Sequence, residues 1–403
     1  MHSPHDLSDP LVFSEVLFEK MKLLTPGMQE LELYEFRYGL ADLVPEKGWD
    51  SVGMESRETI ELRVTNRSFY DSIQIKPMLA DRIVLDTEIV HLAQMLFVGL
   101  VTDTYSLEWV GRHFYFDIRG FYFLHRTVYF SEKVLAHLGG KAYRRFEQKQ
   151  KELERCQDIG YKPFREANAE VDRCFIESVM KLISAQDTPT VVAIAGATAA
   201  GKTEIVESLT IALQRAGQKV ASIELDNFFT DRDYREARGI DSQGKAAFHR
   251  KLLTQSLENI TQGKRISIPH YNTIDATSSH DLNGKLKPGR STIEIEPADI
   301  IFIEGNFPFL IEEVLHLIGI KVVYLTDDPI RLKRKWKRDI DYRKKYDPTY
   351  LRNRYFKDQF IMAQVAYIPQ MEVCDLIVDT TGAALWATPE IAKILDGKRE
   401  VDQ

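Results

Sequence analysis

Near the middle of the chain stand Gly196, Ala197, Thr198, Ala199, Ala200, Gly201, Lys202 and Thr203, a run whose residue types and spacing suit phosphate chemistry. The two glycines let the backbone turn sharply and bring N–H groups close to an anion. The lysine offers a cation to β- and γ-phosphates, and the threonine hydroxyl offers a ligand to Mg2+. The context agrees. "TVVAIAG" before the run reads as a buried strand, and Lys202 to about Arg215 reads as a helix whose positive end faces the same anion. An ordinary glycine turn does not bring strand, spacing and helix together. These eight residues are the expected cradle for ATP, with Thr203 a ligand for Mg2+.

Which chemistry the cradle serves is narrowed by what accompanies it. A guanine-reading N/TKxD motif is missing from the sequence. The apolar run "ADIIFIEG" ends in Glu304-Gly305 and not in the Asp-Glu pair usual in motor and remodelling ATPases. That combination points to a kinase for small molecules. Transfer of a phosphoryl group to an alcohol needs a base near the hydroxyl, cations around the moving charge and in-line positioning. Asp226 directly follows the apolar run "KVASIEL", at the edge where open α/β sheets bind ligands.

The elements that must position these residues follow a regular alternation. "TVVAIAG", "KVASIEL", "ADIIFIEG", "KVVYLTD" and "DLIVDT" are continuous apolar runs, as expected of strands buried on both faces. Separated by helical patterns, they predict an α/β fold with a doubly wound parallel sheet over residues 190–385. Residues 1–185 read as a mainly α-helical domain preceding it. "LVFSEVLFEKMKLL" and "DTEIVHLAQMLFVGLV" have helical apolar spacing. The aromatic stretch from Ser106 to Leu138 reads as one or two buried helices, with strand as the alternative. "KAYRRFEQKQKELERC" reads as a charged helix, and another is expected from Phe164 to Ile183. "SAQDTPT" is the expected linker, and residues 386–403 a C-terminal tail.

The bulk numbers bound the class. The 403 residues suggest two domains. With 44% hydrophobic and 28% charged residues the chain reads as a soluble globular protein. A net charge of −7 argues against bulk nucleic-acid binding. Cys156, Cys174 and Cys374 show no metal-type spacing and fit structural thiols in a reducing compartment. The N-terminus lacks the signal-peptide pattern, and the longest apolar run, "MLFVGLV", is too short to span a bilayer. A cytoplasmic protein with no membrane partner is expected.

Six pieces in order resemble the uridine kinase / phosphoribulokinase family of P-loop kinases: the cradle, "LDNFF", the stretch leading to "IPHYN", "IIFIEG", "RLKRKWKRDIDYR" and "AYIPQMEVCDLIVD". The resemblance covers about 190–380. It implies that Asp226 is the general base and touches Mg2+ through water, with Glu304 the second acidic group at the metal. It implies that the basic stretch, nine of fifteen residues from Arg331 to Lys345, is a lid bringing guanidinium groups to the phosphate. Arg338 and Arg343 are the positions to expect there, with Arg331 and Arg334 assisting. Tyr271, Phe229 and His270 are implied acceptor contacts.

Departures fall on the acceptor-reading parts. "IPHYNTIDATSSH" keeps Pro269 and Tyr271, but Asn272 replaces the Asp of uridine kinases and is closer to the phosphoribulokinase form. Arg232, Arg235, Arg238, His249 and His270 are further candidate acceptor contacts, and a basic cluster there would suit a phosphorylated acceptor. The expected activity is ATP- and Mg2+-dependent transfer to a hydroxyl of a small sugar or nucleoside. The alternatives are a phosphoribulokinase-like or other metabolite kinase, and a non-catalytic ATP-binding regulatory module. His91, His113 and His125 lie in apolar surroundings and read as satisfied core histidines. The N-terminal half is a candidate homo-oligomer interface or acceptor-specificity module.

Overall fold

Short β-branched runs assemble one seven-stranded sheet in the computed structural model. It describes residues 9–66, 69, 75–77, 83–118, 121–146, 161–241, 244–342, 347, 350, 355 and 361–397. The strands are β1 (Arg144–Arg145), β2 (Thr190–Ala195), β3 (Val220–Glu224), β4 (Ile300–Gly305), β5 (Ile320–Leu325), β6 (Leu376–Asp379) and β7 (Ala384–Ala387). Their order across the sheet is β1-β7-β6-β5-β2-β4-β3. The five strands expected from sequence, β2 to β6, all pair in parallel. Every residue of β2 and β4 is buried, which is why these strands read as unbroken apolar runs. After β2 the chain moves to one side of it for β3 and β4, then crosses to the other for β5 and β6. The strand order therefore reverses at β2, and the crevice beyond its carboxyl end is where such sheets bind ligands.

Helices α1 (Tyr161–Ile183) and α2 (Lys202–Arg215) cover the sheet. Val171, Phe175, Val179, Leu209 and Leu213 pack with Val192, Ile194, Phe302 and Val322 in one apolar core. Helix α3 (Arg250–Thr261) turns Leu253, Leu257 and Ile260 inward at helical spacing.

Two strands of this sheet lie outside the sequence expectation. β7 runs antiparallel to β6, and β1 pairs antiparallel with β7. β7 is the four-residue run Ala-Leu-Trp-Ala, and β1 is two arginines on an edge, so neither has the length or alternation that identifies a strand. The expected charged helix from residue 141 is corrected at its start, because Arg144–Arg145 is extended; residues 147–160 lie outside the described residues. The expected tail is also corrected. β7 begins before it, and a helix, Pro389–Leu395, occupies its first half, with Thr388 Oγ1 accepting from the Ile391 N–H at 3.4 Å.

The chain divides into two compact units, and the division differs from the one expected at residue 185. The sheet unit includes the described residues from Tyr129 to Asp327 and from Gln364 onwards. The other unit holds those up to Val128 and those from Asp328 to Ala363. This second unit is mainly helical. Pro10–Leu24 is capped by Asp9, and the nearly all-apolar Thr87–Val101 by Asp86. The aromatic stretch is part helix, Leu107–His113, and part hairpin, Phe114–Asp117 with Tyr122–His125. Both faces of the hairpin are buried, which hides its period of two. Phe116 and Phe123 meet Phe97, and Phe123 meets Phe114 and Phe116, mostly edge-on, in this unit's core.

Candidate active site

β2, β4 and β3 are neighbours, so their carboxyl ends bring three loops together. The cradle leaves β2. Its Gly196 N–H bonds Gly305 O at 3.2 Å, tying it to the end of β4. A Cβ at Gly196 would stand 2.4 Å from Tyr324 O, so this position accepts only glycine without a shift. Ala199 and Gly201 have φ of 65° and 106°, giving the alternating backbone turn that forms an anion-binding concavity. Gly201 is the N-cap of α2, whose first-turn N–H groups have no partner within the helix. The Thr326 hydroxyl donates to Ala200 O at 2.8 Å and anchors the loop from below.

Lys202 folds back over this loop. Its Nζ donates to Gly196 O at 2.9 Å, Ala197 O at 3.1 Å and Asn306 Oδ1 at 3.3 Å. Asn306 also donates through Nδ2 to Thr198 Oγ1 at 3.4 Å. Buried Gln370 holds the Asn306 carbonyl at 2.9 Å and accepts from the Phe309 N–H at 3.1 Å. Asn306 and Gln370 were not anticipated from sequence. Asn306 could have been found as the residue after Glu304-Gly305, but nothing local marks Gln370.

Thr203 Oγ1 donates to Glu304 Oε1 at 3.1 Å. Glu304 is 5% exposed, and its Oε2 is buried with no hydrogen-bond partner. Burial pushes its pKa up to about 7. Lys202 opposes this, while Glu224, opposite it in the β4–β3 register, adds to it. Glu224 is itself raised, by partial burial and then by Asp226. An orphaned carboxylate oxygen beside a hydroxyl, among carboxylates that repel one another, fits an oxygen-ligated divalent cation. Asp226 lies on the single turn Leu225–Phe228 directly after β3 and is exposed.

The sequence of this region is matched by known proteins. Residues 191–386 match the family described as the Phosphoribulokinase / Uridine kinase family. The uridine kinase of Macrococcus caseolyticus is 30% identical over 157 residues, covering 38% of this chain and 70% of the relative. This chain belongs to the phosphoribulokinase / uridine kinase family. The uridine kinase of Lactobacillus helveticus is 29% identical over 160 residues, 39% of this chain and 71% of the relative. A solved structure of a possible uridine kinase from Bacillus stearothermophilus has 20% identity and a TM-score of 0.37, covering 51% of this chain and 98% of its own.

The other expected site residues divide into three groups. Phe229 and Tyr271 are brought together, with ring centroids 5.8 Å apart. The Tyr271 N–H donates to Asn227 Oδ1 at 3.2 Å, and its hydroxyl accepts from Arg235 Nη2 at 3.0 Å. His270 and His249 are not part of this group. His270 is exposed, and its N–H and C=O both bond Ser279. His249 is buried against Ser278, with burial and then His280 lowering its pKa. The basic stretch belongs to the helical unit. Arg338 begins a π-helical turn there, Arg338–Tyr342, and contacts Asp339 at 3.5 Å. Arg331 is 1% exposed and paired with Asp328, so it is no surface phosphate ligand. Arg343 lies outside the described residues.

His113 and His125 sit in the helical unit. His113 Nδ1 lies 2.9 Å from Trp109 O, and burial pushes His125 down to about 4. Cys174 and Cys374 are buried free thiols, and Cys156 lies outside the described residues. Among the described residues no helix is long and apolar enough to cross a membrane.

Proposed function

We propose that the sheet unit catalyses ATP-dependent phosphoryl transfer to a hydroxyl of a small sugar- or nucleoside-type acceptor. The observation that carries this reading is the Thr203–Glu304 contact beneath the cradle, with Glu304 Oε2 left unpartnered beside it. A module that only bound nucleotide would need no Asp at the neighbouring strand end.

The cradle and the first turn of α2 bind and orient the phosphates of ATP, and Lys202 supplies the charge that follows the γ-phosphoryl group. Thr203 and Glu304 are the residues that would hold Mg2+, which neutralises charge on the phosphate oxygens when bound. Asp226, reached from the end of β3, accepts the proton of the acceptor hydroxyl as the oxygen attacks. Phe229 and Tyr271 form the wall that orients the acceptor beside Asp226.

The test is acceptor-stimulated ADP release by the full chain and by Asp226→Asn. A positioned base contributes about 10²–10⁴ in rate, so the variant is expected to lose that factor while binding Mg-ATP as tightly as the parent. Transfer at the parent rate would remove Asp226 from the reaction. Tight ATP binding with no acceptor-dependent release by the parent would favour a regulatory nucleotide-binding module.

A further inference from the structure

The cradle has a backbone shape that its own residues do not enforce. Ala199 has φ of 65°, a left-handed conformation that a residue with a Cβ adopts at a cost and keeps only where its surroundings impose it. At the start of the loop the Gly196 N–H is tied to Gly305 O. Near its end the tie is a side chain. Thr326, the first residue after β5, is 1% exposed, and its hydroxyl donates to Ala200 O at 2.8 Å. Thr380, the first residue after β6, is fully buried beside it, and the two hydroxyl oxygens lie 2.7 Å apart.

The hydroxyl protons run in one direction. A carbonyl oxygen only accepts, so the Thr326 proton points at Ala200 O, and Thr326 Oγ1 is left to accept. Thr380 is its donor. The other acceptor within reach of Thr380 Oγ1 is Leu325 O at 3.0 Å, which already accepts from the Thr380 N–H at 2.9 Å. Peptide geometry gives the bond to Ala200 its consequence. In a planar trans peptide the C=O and the following N–H point opposite ways. Holding Ala200 O down on Thr326 therefore turns the Gly201 N–H to the other side of the loop. That N–H belongs to the N-cap of α2, beside the first-turn N–H groups that suit an anion. We propose that Thr326, with Thr380 behind it, is a positioning residue of the nucleotide site, which aims the Gly201 N–H at a phosphate oxygen and so sets the affinity for ATP and ADP. This rests on the reading of the cradle as the ATP site.

The full chain and its variants are titrated with Mg-ADP and Mg-ATP by calorimetry, and each ligand-free protein is melted. Thr326→Val keeps the branched shape without the hydroxyl and is expected to weaken both nucleotides about tenfold, the scale of a hydrogen bond whose acceptor is left unpaired. Thr326→Ser restores the hydroxyl and should bind within about twofold of the parent. Thr380→Val should weaken binding about threefold, and should cost nothing further in the Thr326→Val background because it acts through that hydroxyl. Tyr324→Phe is the structural control. Tyr324 is 4% exposed, and its hydroxyl donates to Asp172 Oδ1 at 2.8 Å rather than to the cradle. Its loss should lower the melt and leave nucleotide affinity unchanged. Parent-like affinity in Thr326→Val overturns the proposal, as do equal weakening in Thr326→Ser and additive losses in the double variant. Weakening in Tyr324→Phe in proportion to its melt also overturns it, because Thr326 would then be structural only. If Thr326→Val does not fold, Thr380→Val and Thr380→Ser decide alone, and unchanged affinity in the first counts against the proposal. A parent that binds neither nucleotide removes the ATP reading and this proposal with it. Tight binding whatever residue stands at 326 removes this proposal alone.

Discussion

Thr203 Oγ1 and Glu304 Oε1 lie 3.1 Å apart, joining the first turn of α2 to the last residues of β4. The hydroxyl belongs to the cradle and the carboxylate to the neighbouring strand, so one contact couples phosphate binding to the cation position. Glu304→Gln keeps the size and one acceptor oxygen but removes the charge. It is expected to weaken Mg2+ affinity about 10–100-fold, the range found when a group supporting a metal site is lost. Thr203→Val should act in the same direction. Titration of Mg2+ into the ATP-bound protein, followed by turnover and by calorimetry, checks both. Unchanged Mg2+ dependence in the two variants would place the cation elsewhere.

Asn306 links Lys202 to Thr198, and Gln370 fixes Asn306. Asn306→Ala removes the longest of the three hydrogen bonds that Lys202 Nζ makes among the described residues, so it is expected to raise KM for ATP several-fold with little loss of stability. Gln370→Ala should behave differently. It leaves the Asn306 carbonyl and the Phe309 N–H without their partner inside the protein, and an unsatisfied buried group costs about 1–3 kcal/mol. The variant should therefore lose thermal stability as well as ATP affinity. A melt and an ATP titration on each separate the two roles. Equal stability loss in both would mean that Asn306 is a structural residue rather than a positioning one.

These cases show what was readable along the chain. The cradle is legible because its chemistry is contiguous: eight neighbouring residues contain the turn, the cation and the hydroxyl. Asp226 and Glu304 are legible from their places at strand ends. Gln370 is not, because its role depends on a contact across 64 positions that no local pattern encodes. Arg235 and Arg238 were both visible as basic residues, but only the fold separates them, by bonding Arg235 to the Tyr271 hydroxyl and leaving Arg238 exposed. The basic stretch held a second signal beneath its charge. Leu332, Trp336 and Ile340 recur every four residues, and this apolar stripe packs into the core of the helical unit.

Asp379, at the end of β6, has its pKa raised to about 6 by burial, with Asp327 adding to the rise and the Gly382 N–H opposing it at 2.7 Å. Its ordinary value is 3.8. The native state therefore holds a proton that the unfolded chain has released between those two values. Stability should fall as pH rises from about 3.8 to about 6 and level off above, by at most about 3 kcal/mol at 1.36 kcal/mol per unit. Asp379→Asn keeps an acceptor for Gly382 and cannot ionise. Its melting temperature relative to the parent should climb across that window. A difference that does not change with pH would show that the Asp379 carboxyl is unshifted.

Arg331 tests the assignment of the basic stretch. Family resemblance made it a helper at the phosphate. In the fold it is buried, with Nε and Nη2 at 3.2 and 2.8 Å from Asp328 Oδ1. The other Asp328 oxygen accepts from the Thr127 N–H at 3.2 Å, so the pair fastens the basic helix Asp328–Lys337 to the chain after the hairpin. Breaking a buried pair from one side strands a charge and costs about 3–5 kcal/mol, whereas replacing both partners with apolar or neutral groups is often tolerated. Arg331→Met should therefore melt several degrees below the parent. The double variant Arg331→Met, Asp328→Asn should recover much of the loss, because the stranded carboxylate is gone. A phosphate-binding arginine would give the opposite pattern: lower turnover, an unchanged melt and no recovery in the double variant.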